Sequence, residues 1–131
     1  MNNDTVPDTG TILVIDDDTA ITDLIKTVLE KDGFTVLEAH SGMEGIEIAA
    51  KKKPDLIIMD ITMPDMDGYA ATEKLKSDDK LKNIPVIFLS GRSPSEDGGR
   101  SFAKGGLTFM RKPFSNQQIR DLVILTLQAI A

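Results

Sequence analysis

Asp16 and Asp17 close the apolar run Ile12-Leu13-Val14-Ile15, and Asp60 closes the run Leu56-Ile57-Ile58-Met59. Runs of Val, Ile and Leu without polar alternation read as strands buried on both faces, whose ends open at one rim of a parallel sheet. Three carboxylates gathered there repel one another and require a proton or a cation. A hard, oxygen-preferring divalent ion, Mg2+ or Mn2+, suits such a donor set, so the cluster predicts a metal site. Two further strand ends feed the same rim. Ser90 follows Phe88-Leu89, and Lys112 precedes Pro113. Three acids, a hydroxyl and a lysine are therefore expected to converge.

The elements that must position these groups follow from periodicity. Apolar runs over Thr11 to Ile15, Phe34 to Ala39, Leu56 to Met59, Val86 to Leu89 and Leu107 to Met110 predict five strands. Between them, Ile21, Leu24, Ile25, Val28 and Leu29 form the inner stripe of a first helix that Gly33 stops. Asp18 serves as its cap. Ser41 and Glu44 form a capping box for a second helix, with Ile46, Ala49 and Ala50 inward. Lys51, Lys52 and Lys53 complement its C-terminal dipole. A third helix spans Tyr69 to Lys76. A fourth, Ser95 to Lys104, carries Gly98 and Gly99 in its interior, which predicts a short or mobile element. The fifth opens at Ser115, with Gln118 in the capping-box position and Phe114 stapled to Ile119. The β-α alternation predicts an α/β fold, a doubly wound five-stranded parallel sheet covered on both faces, with its ligand site beyond the carboxyl ends of the strands.

Composition narrows the function class. The 131 residues suit one domain: a flexible lead-in over residues 1–10, then a single unit over 11–131. A net charge of −6 without a basic patch argues against direct binding to nucleic acid or anionic lipid. No cysteine is present, which excludes disulfides and thiolate metal sites. With no signal-peptide core and no apolar stretch near the roughly 18 residues of a membrane span, a cytoplasmic protein is expected. His40, the single histidine, falls after a strand and is assigned no chemical role.

The acidic pair Asp16-Asp17, the segment Asp60-Ile61-Thr62-Met63-Pro64-Asp65-Met66-Asp67-Gly68, the stretch Ile84 to Gly91 and Lys112-Pro113-Phe114 together resemble the receiver domain of two-component response regulators, over Thr11 to Ile130. The resemblance implies a flavodoxin-like (βα)5 fold of the single-domain chemotaxis-regulator kind. It makes Asp60 the phospho-acceptor and Asp16 and Asp17 metal ligands beside it, joined by the Thr62 backbone carbonyl. Ser90 is the hydroxyl that senses the phosphoryl group, and Lys112 the cation that pairs with its oxygens. Thr62, Gly91 and Arg92 flank that group. Phe109 stands at the switch-aromatic position, and a cis bond is implied before Pro113. The chemistry is self-consistent: a carboxylate attacks phosphorus in line, and the spread negative charge of the transition state is met by a divalent ion and fixed donors.

The expected partners are a sensor histidine kinase or a histidine phosphotransfer protein upstream and a protein target downstream. Ile119, Leu122, Val123, Thr126 and Ile130 share one face of the last helix, whereas Ile124 and Leu125 point away from it. Those two mark a partner or homodimer contact on the surface of the fourth helix, fifth strand and fifth helix, which the family uses for output. The chain stops just after that helix, as a stand-alone regulator or a receiver excised from a larger protein would. Beyond its own phosphorylation and dephosphorylation, no substrate turnover is expected. One alternative is a phosphorylation-independent binding module. Another is a Mg2+-dependent aspartyl-phosphate phosphohydrolase, which Thr62 at the second-acid position disfavours.

Overall fold

The computed structural model describes residues 10–91 and 108–130. The expected helix over 95–104, together with Arg92, lies outside them. Five strands, β1 (Thr11–Ile15), β2 (Thr35–Ala39), β3 (Leu56–Asp60), β4 (Val86–Ser90) and β5 (Thr108–Arg111), form one parallel sheet in the order β2-β1-β3-β4-β5. The helices are α1 (Thr19–Glu30), α2 (Gly42–Lys52), α3 (Gly68–Lys76) and the C-terminal α4 (Asn116–Ile130).

Period-2 alternation in β1, β3 and β4 sends side chains into two cores, because every residue of β3 and β4 is buried. Ile12, Val14, Ile58, Ile87 and Leu89 pack with Ile25, Leu29, Ile119 and Val123 on the α1 and α4 side. Leu13, Ile15, Ile57, Met59 and Phe88 pack with Ala49, Tyr69 and Leu75 on the α2 and α3 side. Among the described residues no helix is long and apolar enough to cross a membrane.

The helix starts follow the sequence closely. Asp18 accepts from the Ala20 N–H at 2.9 Å, and Asp67 from the Ala70 N–H at 2.7 Å. The Ser115 and Gln118 box closes in both directions, at 2.7 and 3.0 Å. At α2 the Ser41 hydroxyl accepts from the Glu44 N–H at 3.1 Å, but the Glu44 carboxylate returns to the His40 N–H at 2.7 Å, one residue earlier than in a reciprocal box.

Two inward-facing assignments are corrected. Leu24 is 38% exposed, and its neighbour Thr22 is the buried one, its hydroxyl bonded to the Thr19 carbonyl and to His40 Nε2, each at 3.1 Å. With its bonds satisfied, a threonine takes the inner position at little cost. On α2, Ala50 is exposed, and Gly42, Gly45 and Ala49 face inward. A Cβ at Gly45 would lie 2.3 Å from Ile15 Cδ1, so the helix rides against β1 closely enough that glycine, not a larger side chain, defines its inner face.

Candidate functional site

The acids stand where the sheet puts them. Asp60 is the last residue of β3 rather than the first beyond it, and Ser90 likewise ends β4. Strand pairing therefore fixes both backbones. The Asp60 register partner is Leu89, and the next N–H, of Ile61, donates to the Leu89 carbonyl at 3.0 Å. Asp16 follows β1 directly, its own N–H donating to the Ala39 carbonyl at 3.0 Å. Asp16 is fully buried and Asp60 is 4% exposed, whereas Asp17 is exposed. Carboxylate oxygens of all three lie within 4.8 Å of one another.

Lys112 enters this cluster from the loop after β5. Its N–H donates to the Ser90 carbonyl at 2.7 Å, which ties the loop to the end of β4. Its Nζ donates to Asp16 Oδ2 at 2.8 Å and to Asp60 Oδ1 at 3.0 Å. The Lys112–Pro113 bond is cis, as the resemblance implies.

The electrostatics are unbalanced. Burial and the neighbouring Asp16 charge push the Asp60 carboxyl from 3.8 up to about 6, with a smaller push from Asp17, against the lowering effect of Lys112. Burial by itself would lower the Lys112 ammonium, but the hydrogen bonds and charges of Asp16 and Asp60 hold it above its ordinary value. One ammonium cannot neutralise three carboxylates. Oxygen donors at this separation, with charge left over, fit a hard divalent cation.

The loop after Asp60 is pinned at several points. The Gly68 N–H donates to the Ile61 carbonyl at 2.7 Å, and Gly68 lies so close that a Cβ there would stand 2.5 Å from the Asp60 carbonyl oxygen. Met63 is buried between exposed Thr62 and Pro64. Asp65 reaches α2, where its Oδ1 accepts from the Gly42 N–H and its Oδ2 from the Met43 N–H, both at 3.0 Å. Those two bonds hold its carboxyl below the usual carboxylate range.

Of the expected site residues, Asp16, Asp17, Asp60, Ser90 and Lys112 thus come to one rim, and exposed Thr62 follows two residues after Asp60 in the loop. Gly91 is exposed, and a Cβ there would meet no atom within 4 Å. Phe109 is half-buried against the core cluster that contains Phe88, its register partner. On α4, Ile124 and Leu125 are the exposed large apolar residues among those described, Leu125 at 61%. The role of Asp65 was not visible in the sequence. Its partners lie 22 and 23 residues away, and in the sequence it stands only as one member of the motif that follows Asp60.

Comparison with known proteins agrees with this geometry. The model of the response regulator receiver domain matches residues 12–124. Sporulation initiation phosphotransferase F of Bacillus subtilis is 34% identical over 112 residues, covering 86% of this chain and 89% of that protein. The DNA-binding dual master transcriptional regulator RpaA of Synechocystis is 35% identical over 108 residues, 82% of this chain and 45% of RpaA. The chain spans about half or less of the length of several such curated relatives. Among solved structures, the receiver domain of the Francisella response regulator 1452 superposes with a TM-score of 0.85 at 29% identity, over 93% of this chain and 99% of that one. A five-stranded parallel sheet whose strand ends bring three acids, a serine and a lysine together, matched over residues 12–124, makes this chain a member of the response regulator receiver domain family.

Proposed function

We propose that the chain is a phosphorylation-driven signalling switch. It takes a phosphoryl group from a phosphohistidine of a sensor histidine kinase or a histidine phosphotransfer protein. The observation that carries this reading is the Lys112 ammonium bridging Asp16 and Asp60 at 2.8 and 3.0 Å beside a metal-capable acid cluster. A carboxylate oxygen of Asp60 attacks phosphorus in line. The new P–O bond forms as the P–N bond breaks, and its electron pair returns to the imidazole nitrogen. Lys112 pairs with the phosphoryl oxygens, and the Ser90 hydroxyl donates to them.

Asp16, Asp17 and Asp60, with the Thr62 backbone carbonyl, would hold Mg2+ or Mn2+. When bound, such an ion supplies the positive charge that brings a carboxylate nucleophile and an anionic phosphoryl group together. Water later removes the group, at a rate tuned by the residues two positions after Asp60 and Ser90, Thr62 and Arg92. The chain turns over no separate substrate.

Output follows from the new charge. A phosphoryl group on Asp60 offers strong acceptors to Ser90 and draws the end of β4 inward, and Phe109 shifts into the space released. The surface carrying Ile124 and Leu125 then binds a protein target or a second copy of the chain.

Intact mass after incubation with a small-molecule phosphodonor tests the reading. One phosphoryl group should appear on the wild type with Mg2+, and none on Asp60→Ala or in the presence of a chelator. No gain under any donor would point instead to a phosphorylation-independent binding module.

A further inference from the structure

The loop between Asp60 and α3 is held at three places. At its ends, Gly68 bonds the Ile61 carbonyl and rests on the Asp60 backbone. In its middle, the Met63 side chain is buried in the core. At its far side, Asp65 and Met66 grip the first turn of α2. The Asp65 carboxylate takes the Gly42 and Met43 N–H groups, and Met66 lies against Gly42, where a Cβ would be 3.3 Å from its Cγ and Sδ. Those amides are donors that no helical carbonyl can satisfy, and the positive end of the helix dipole favours an anion there. An acid of the loop fills a requirement of α2, and α2 is itself seated on β1 by Gly45. Thr62 lies between the first and third of these anchors.

We propose that Asp65 is a positioning residue for the phosphorylation site: by strapping the loop to the N-terminus of α2, it holds the Thr62 backbone carbonyl toward the acids that take the divalent ion. The inference rests on the metal reading given above. Asp65 touches neither the ion nor the phosphoryl group. It acts on a single backbone ligand, so its loss should weaken metal binding without abolishing it. Partners that orient metal ligands are worth about tenfold or more in affinity, and a backbone ligand held by two other anchors belongs at the low end of about tenfold.

The test is a Mg2+ titration of wild type, Asp65→Ala and Asp65→Asn, followed by amide chemical shifts, with amide hydrogen exchange measured on the metal-free proteins. Asp65→Ala should speed exchange at Gly42 and Met43 and raise the Mg2+ dissociation constant by about tenfold. Asp65→Asn keeps one acceptor oxygen and should recover part of both effects. Phosphorylation of Asp65→Ala by a small-molecule donor should fall at limiting Mg2+ and return toward wild type at saturating Mg2+, which a general loss of folding would not produce. Faster exchange at Gly42 and Met43 with unchanged Mg2+ affinity would overturn the proposal, as would unchanged exchange. If the wild type binds no Mg2+, the metal reading itself fails, and this inference fails with it.

Discussion

Lys112 Nζ bonds Asp16 Oδ2 at 2.8 Å and Asp60 Oδ1 at 3.0 Å, so one ammonium spans the buried acid after β1 and the acid that ends β3. It is the internal counter-charge of the acid cluster and, in the proposed switch, a donor placed to meet a phosphoryl group on Asp60. Lys112→Ala should therefore reduce donor-dependent phosphorylation by roughly 10²-fold, the scale for removing one fixed donor from a developing charge. Mass-resolved time courses at saturating Mg2+ give the rate. Loss of the ammonium also leaves Asp60 harder to ionise, so the pH at which phosphorylation begins should move upward.

The Asp60 carboxyl, raised from 3.8 to about 6, makes metal-free stability depend on pH. The native state binds this proton more tightly than the unfolded chain. Its stabilising contribution is present below 3.8 and is lost as pH rises through about 6. Asp60→Asn removes the burden and should stabilise the metal-free protein at neutral pH by up to about 3 kcal/mol, read from denaturant midpoints with and without the substitution. At pH 5 the gain should be smaller. Mg2+ should raise the melting temperature of the wild type at pH 7.5, and much less at pH 5, where protons compete for the same oxygens.

Gly68 meets the backbone of Asp60, the proposed phospho-acceptor. A Cβ there would stand 2.5 Å from the Asp60 carbonyl oxygen and 3.0 Å from Ile61 Cα, contacts that only a backbone shift relieves. Gly68→Ala should destabilise by about 1–3 kcal/mol despite the better helix propensity of alanine, and it should slow phosphorylation by displacing Asp60. Thermal unfolding and phosphorylation rates measured on one preparation check both effects.

Ile124 and Leu125 are exposed on α4, at 36% and 61%, and belong to neither core cluster, so a charge at Ile124 meets no buried core side chain. Ile124→Glu should leave stability within about 0.5 kcal/mol and phosphorylation unchanged, while weakening the complex with a target or second copy. Sedimentation of phosphorylated wild type and variant tests the homodimer. Pull-down with a candidate target tests the other partner.

The sequence by itself determined the order of elements and the acids at the strand ends. Unbroken Val, Ile and Leu runs make strands buried on two faces, and Asp18, Ser41 and Ser115 satisfy helix-start amides within a few residues of themselves. Such preferences depend on near neighbours, which a sequence displays. Joint motifs also gave Asp60, Ser90 and Lys112. Only the tertiary structure decided how these groups meet. Lys112 closes onto acids 96 and 52 residues away, and Asp65 onto amides of α2. It also decided that Thr22 and Gly45, rather than Leu24 and Ala50, face inward. The physical reason is distance between elements: periodicity defines a helix face, but how closely that helix approaches the sheet, set here by Gly45 against Ile15, selects which side chains fit beneath it and which loop acids can reach its end.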